Sequence, residues 1–206
     1  MKRFCLSLIV AALLPVVASA DVSQTGPGAT FVDNANSSSS IFVTANEIVS
    51  DVFIDINDLN HTWVGDLQAT LTHVDTGSSV SIFDGIGSVG NTGAGDSSNF
   101  NDSYNFGNGF PGDIWAAAAA GGNGDDIAGG PYFATDINGG LVDMGGAFAG
   151  ESTVGEWRLD IFDRANGDTG GYGSWGIRII SNPVPEPGSL AVVGLIALGG
   201  LIRRRR

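Results

Sequence analysis

Cysteine is almost missing from this 206-residue chain: the single copy, Cys5, lies in the opening residues. Beyond residue 20 there is no thiol, so disulfides and thiolate metal sites are excluded and stability must come from the core and any bound ion. Histidine is nearly as scarce, with only His61 and His73. Basic residues number nine, but Lys2, Arg3 and Arg203–Arg206 sit at the ends. Between residues 21 and 183 only Arg158, Arg164 and Arg178 remain, against 21 acids, a formal charge of −18 compared with −13 for the whole chain. Such a field repels nucleic acid and anionic lipid headgroups. It attracts divalent cations, which can bridge to acidic polysaccharide, and it also serves solubility. Catalytic signatures are missing too. There is no Gly-x-Ser-x-Gly elbow and no His-Glu-x-x-His helix, and the carboxylate separation on which glycoside hydrolysis depends is not encoded in sequence. No catalytic residue is assigned, and a non-enzymatic role is expected.

What is present at the two ends reads as address labels. Lys2 and Arg3, the apolar stretch Leu6–Val17 and the small residues Ala18-Ser19-Ala20 form a secretory signal over residues 1–20. At the other end Val184-Pro185-Glu186-Pro187 precedes the apolar run Ser189–Ile202 and four terminal arginines. The two prolines keep their segment extended, suited to binding as a strand-like substrate. A run of this length spans about 21 Å as a helix, short of the ~30 Å hydrocarbon core, and the arginines hold its end on the cytoplasmic side. Residues 184–206 resemble the PEP-CTERM sorting segment of Gram-negative bacteria. That resemblance implies recognition and cleavage by an exosortase-type enzyme, anchoring in the inner membrane beforehand, and delivery to the cell surface or outside the cell.

The intervening stretch is one domain's length, and its patterning is that of strands. Val52, Ile54 and Ile56 alternate within Ile48–Ile56. Leu67, Ala69 and Leu71 alternate with polar residues, and Val80–Phe83 follows a turn at Asp75-Thr76-Gly77. Trp157, Leu159 and Ile161 alternate, as do Ile177 and Ile179 after the glycine-rich turn Gly167–Gly173. Period-two runs separated by Gly, Asn, Asp and Ser predict antiparallel strands and an all-β sandwich. Residues 21–47 read as a polar lead-in with an edge strand at Ile41–Thr44. The middle, Gly85–Gly150, reads as long loops and short strands pinned by single aromatic rings. Its one helical stretch, Ala116–Ala120 between glycines, is too short to stand unaided.

Three segments, in order, carry a second resemblance. They are Val49–Ile56 with Asn60-His61-Thr62-Trp63-Val64-Gly65-Asp66-Leu67, then Gly155-Glu156-Trp157-Arg158-Leu159, then Asp163 through Gly167-Asp168-Thr169-Gly170 to Trp175-Gly176-Ile177. Together they resemble the P domain (P/Homo B) of kexin- and furin-type proprotein convertases and of many bacterial secreted proteases. The resemblance covers about residues 48–181 and implies a jelly-roll sandwich of about eight strands, with Trp157 and Trp175 in its core. It departs at His73-Val74-Asp75-Thr76-Gly77, where the family has Ser-Pro-x-Gly-Thr. No peptidase domain accompanies it in these 206 residues.

Candidate sites follow from oxygen-rich loops. Asp58 and Asp66 flank one inter-strand loop, and Asp163, Asn166 and Asp168 flank another. If the two loops meet at one end of a sandwich, these residues suit calcium, which takes six to eight oxygens. The alternative is that Asp66 and Asp163 set turns by accepting backbone hydrogen bonds. Gly121–Asp126 resembles one RTX-type calcium nonapeptide, but a single copy cannot build the stacked site. His61 is expected to make a structural hydrogen bond, and His73, at a strand end, is expected in solvent. Trp63 and Trp115, in loop-like contexts, are candidate ligand-binding platforms. Three roles compete: a surface or matrix protein associating with exopolysaccharide, a lectin-like module, and an accessory domain for a separate secreted protease.

Overall fold

A computed structural model describes residues 20–184. The signal stretch ahead of Ala20, the Pro185-Glu186-Pro187 part of the sorting motif and the apolar run lie outside the described residues. The alternating segments form strands on the expected residues and run longer than the patterns alone indicate. They are β3 (Glu47–His61), β4 (Leu67–His73), β5 (Ser78–Asp84), β9 (Gly155–Asp163) and β10 (Gly170–Pro183). In each, one face goes inward: Val52, Ile54, Ile56 and Leu59 of β3 are fully buried, as are Trp157, Leu159 and Ile161 of β9.

The polar lead-in is built into the sandwich. It holds β1 (Ala20–Thr30) and β2 (Ala35–Val43), so the edge strand placed at Ile41–Thr44 is the end of a longer one. Apolar alternation is weak there because serines take inward positions. Ser37 and Ser39 are buried, and their hydroxyls donate to the carbonyls of Thr30 (3.0 Å) and Pro27 (2.8 Å) on β1. The glycine-rich middle contributes β6 (Asn99–Gly107), the short β7 (Asp126–Ile127) and β8 (Gly130–Tyr132), and two helices, α1 (Ile114–Ala120) and α2 (Met144–Phe148). The alanine-rich stretch is helical because it is aided: Asp113 accepts from the N–H groups of Trp115 and Ala116, and Ile114 and Ala118 are buried. Phe100, Tyr104 and Phe106 are core residues rather than isolated pins.

Two sheets result, in the order β1-β10-β3-β6-β7, with β8 also on β6, and β2-β9-β4-β5. Counting only the eight long strands in chain order, the sheets read 1-8-3-6 and 2-7-4-5, the jelly-roll arrangement. Both tryptophans assigned to the core are fully buried. Trp157 stacks on His73 at 4.2 Å, meets Phe148 edge-on at 5.0 Å, and donates its indole N–H to the Thr153 carbonyl.

The register fixes where the ends of the domain lie. Ala20 pairs with Ser181 and Glu47 with Pro183, while Thr30 pairs with Gly171 and His61 with Gly170. Ala20 and Pro183 therefore share one end of the sandwich. The loops after Thr30, His61 and Asp163 share the other, roughly 45 Å away along β10 at the rise of an antiparallel strand. Along β3 the pairing with β6 slips between Ile56 and Leu59, and Asp58 in that bulge has a φ of 54°.

Truncating Trp157 to Ala should cost about 3–5 kcal/mol in urea unfolding, because the stacked ring and its hydrogen bond go together. Phe42→Ser, at a side chain 68% exposed, should stay within about 0.5 kcal/mol of the parent.

Candidate functional site at the loop end

The loop end is organised around the last residue of β3. His61 is buried, its Nδ1 2.9 Å from the Trp63 carbonyl and its Nε2 3.3 Å from Asp163 Oδ2. The expected structural bond is thus a buried histidine–carboxylate contact. Asp163 also accepts from the N–H of Ala165 at 3.3 Å, which sets the turn out of β9. After His61 the chain makes a single helical turn at Val64–Asp66. Gly65 is required there by close approach: a Cβ would stand 2.4 Å from the Ala94 carbonyl oxygen. Arg164 braces this turn, its N–H donating to the Asp66 carbonyl (2.9 Å) and its Nη2 to that of Gly65.

The five proposed metal ligands do not all gather. Asp66 and Asp163 are buried, and Asp168 accepts from the Thr62 hydroxyl at 2.6 Å. Asn166 accepts from the Asn34 amide at 2.5 Å. Asp58 is exposed at the bulge, its backbone N–H donating to the Ser103 hydroxyl at 3.1 Å. Among the described residues, no three His, Cys, Asp or Glu side chains converge as metal ligands. Asp66 still feels its neighbours. Burial first, then the charges of Asp168 and Asp163, push its carboxyl above the ordinary range, against the pull of His61 and Arg164. Gly122–Asp125, inside the RTX-like segment, is a turn closed by the Asp125 carboxylate accepting from the Gly122 N–H at 2.7 Å.

His73 lies in the core, not in solvent. Flat on Trp157 and fully buried, it places Nδ1 2.8 Å from Glu151 Oε2 and Nε2 3.1 Å from the Val154 carbonyl. A strand-end position in sequence does not reveal that the loop before β9 folds over it. Glu151 also accepts from the hydroxyls of Ser78 and Thr76. Burial raises the Glu151 carboxyl, but the bonds from Ser78, His73 and Thr76 outweigh it and leave the group below its ordinary value.

Neither candidate tryptophan is a free platform. Trp63 is half-buried and donates its indole N–H to the Ala94 carbonyl at 2.7 Å. Trp115 packs against the core, and Gly139 sits so close to its ring that a Cβ would lie 2.8 Å from it. The open space lies elsewhere, on the outer face of β3 and β6. One cavity of about 240 Å³ is lined by residues including Asn60, Thr62, Asn101, Asp126 and Thr169. A neighbouring one of about 300 Å³ is lined by Asp58, Leu59, Asn60, Asn101 and Asp102. Of Asn60, Asn101 and Asp126, the sequence marks Asn60 only within the P-domain-like motif, Asp126 only within the RTX-like segment, and Asn101 in neither. The signal was the period-two series Asn99, Asn101, Ser103 and Asn105 between core aromatics.

No family model matches the chain, and no curated protein matches it. Among solved structures, similar chains occur in the serine protease of Aeromonas sobria crystallised with the chaperone ORF2 and in the structure of that protease by itself. Identity is 18% in both, with TM-scores of 0.49 and 0.48. The matches cover 83% and 82% of this chain but 28% of each matched chain. A likeness at this level bears on neither activity nor partner.

Two substitutions test the buried carboxylates. The raised Asp66 group is a cost carried while it is ionised, present above its folded pKa and relieved as pH falls through it. Asp66→Asn should therefore melt higher than the parent at pH 7, with the difference vanishing toward pH 4. Glu151 has the opposite sign: its lowered folded pKa contributes stability fully above its unfolded value of 4.5, lost as pH falls through the folded one. Glu151→Gln should cost about 1–3 kcal/mol near neutrality and flatten the acid limb of the melting-temperature profile.

Proposed function

We propose that the chain is an exported, non-catalytic display protein of the PEP-CTERM type, whose β-sandwich is held at the membrane until an exosortase-type enzyme cuts near Pro185-Glu186-Pro187. The product then joins the cell surface or extracellular matrix. The observation that carries this reading is the polarity of the sandwich. Ala20, next to the signal cleavage site, and Pro183, next to the sorting motif, leave from one end, while the oxygen-rich loops occupy the other. A domain tethered through residue 184 would point those loops away from the membrane. Both histidines also support a non-catalytic role, since each is buried and engaged in contacts that hold loops in place.

On this reading the loop end meets extracellular polymer. An accessory role toward a secreted protease is the competing reading raised by the P-domain resemblance.

The test follows the chain in its producing cells. The parent should be recovered from the surface or matrix fraction with the apolar tail and arginines gone by intact mass. Replacing Pro185, Glu186 and Pro187 with alanine should leave uncut protein in the inner membrane. Recovery of the uncut parent outside the cell, or normal release of the alanine variant, would overturn the sorting mechanism. Co-sedimentation of the released product with the cells' exopolysaccharide is expected for a matrix role. Co-purification with a peptidase instead would favour the accessory role.

A further inference from the structure

The two cavities on the outer face of β3 and β6 are neighbours. Both are lined by Asn60 and Asn101, so they form one groove along the sheet at its loop end. Taken together they fall in the ~300–1,000 Å³ range of small-ligand pockets. The sheet itself shapes the groove. The bulge in β3 puts Asp58 in a left-handed conformation and breaks the pleat between Ile56 and Leu59, so the strand bends where the groove opens. Buried Phe100 lies among the lining residues of one cavity.

Its chemistry is consistent throughout. Three side-chain amides (Asn60, Asn99 and Asn101), the hydroxyls of Thr62 and Thr169, and the carboxylates of Asp58, Asp102 and Asp126 line the groove, and none of the lining residues is Lys or Arg. The amides are held in place: Asn101 Nδ2 donates to Asp126 Oδ2 at 2.8 Å, and Asn60 Nδ2 to the Asp58 carbonyl at 3.2 Å. Each of those bonds uses one of the two amide N–H donors and leaves the other N–H and the amide oxygen able to pair. Hydrogen bonds from Asn101 and Asn99 hold the Asp126 carboxyl below its ordinary value, so it is an ionised acceptor. A surface of fixed carboxylate and amide acceptors, with an N–H to spare on Asn60 and Asn101, suits a ligand rich in O–H groups, which both donate and accept. Three carboxylates and a domain charge of −18 repel an anionic one.

We propose that this groove binds an uncharged polysaccharide chain, with sugar hydroxyls donating to Asp58, Asn60, Asn101, Asp102 and Asp126. The inference rests on the display reading and deepens it. The groove lies at the end of the sheet remote from Pro183, and it takes neutral glycan directly rather than acidic polymer through calcium.

Isothermal titration of the tail-processed protein tests this with the hexasaccharides of β-1,4-, β-1,3- and α-1,4-linked glucose, β-1,4-linked xylose, β-1,4-linked mannose and β-1,4-linked N-acetylglucosamine. Hexagalacturonate serves as the anionic probe. At least one uncharged hexasaccharide should bind, unchanged by chelator, while hexagalacturonate gives no heat. Asn60→Ala and Asn101→Ala should each weaken that binding at least tenfold. Their melting temperatures should stay within a few degrees of the parent, since both side chains are exposed. Trp63→Ala should leave it intact. The groove is refuted if no uncharged hexasaccharide binds at millimolar concentration. Retention of full affinity in the Asn60→Ala/Asn101→Ala double variant, or tighter binding of hexagalacturonate, refutes it equally. Failure here leaves the tail mass and surface delivery untouched, so it is distinguishable from failure of the display reading.

Discussion

The pairing of β10 with β1 on one side and β3 on the other is the constraint from which most of this structure follows. β10 is the last strand of the described chain and lies between the first and the third. The sheet cannot be completed until the C-terminal segment is available, and most of its contacts span large sequence separations. Loop closure over such distances is entropically costly before any contact rewards it. The same pairing brings the two chain ends together at one end of the sandwich and leaves the opposite rim to loops alone.

That rim and its counterpart are each held by a buried histidine beside a carboxylate. His61 with Asp163 ties β3 to β9 across the two sheets, and His73 with Glu151 ties β4 to the segment before β9. A chain without disulfides needs long-range links of this kind, and these are directional where hydrophobic packing is not. Using both histidines this way removes them from surface chemistry and leaves the exposed face of β3 and β6 to amides, hydroxyls and carboxylates. Arg178 adds a separate patch on that face, lying 4.0 Å over Phe53, whose ring meets Phe110.

How far the sequence foretold all this depended on what each strand uses to face inward. β3, β4, β9 and β10 bury branched and aromatic side chains at every second position, so their alternation was legible. β1 and β2 bury glycine and serine at key positions: Gly26 lies against Trp175, and Ser37 and Ser39 bond to backbone. Such residues carry no hydrophobic signal, which is why the lead-in read as polar chain with one edge strand. β6 was hidden by composition, its outward Asn and Ser masking the inward Phe100, Tyr104 and Phe106. His73 and the groove were illegible for a different reason. Both depend on which segments lie opposite one another, and a single strand's pattern holds no information about that.

The serines that seal β1 have a consequence for the edge of its sheet. An edge strand with open carbonyls is a template on which a neighbouring molecule can add its own strand. Here Pro27 lacks an N–H to offer, and its carbonyl, like that of Thr30, is occupied by a serine hydroxyl. At the margin of the other sheet, Thr135 donates to the Ile82 carbonyl and accepts from Ser81, covering β5. These occupied carbonyls make the β1 and β5 margins poorer templates for a neighbouring copy's strand. At those two margins, cohesion with a neighbour falls to side chains rather than backbone.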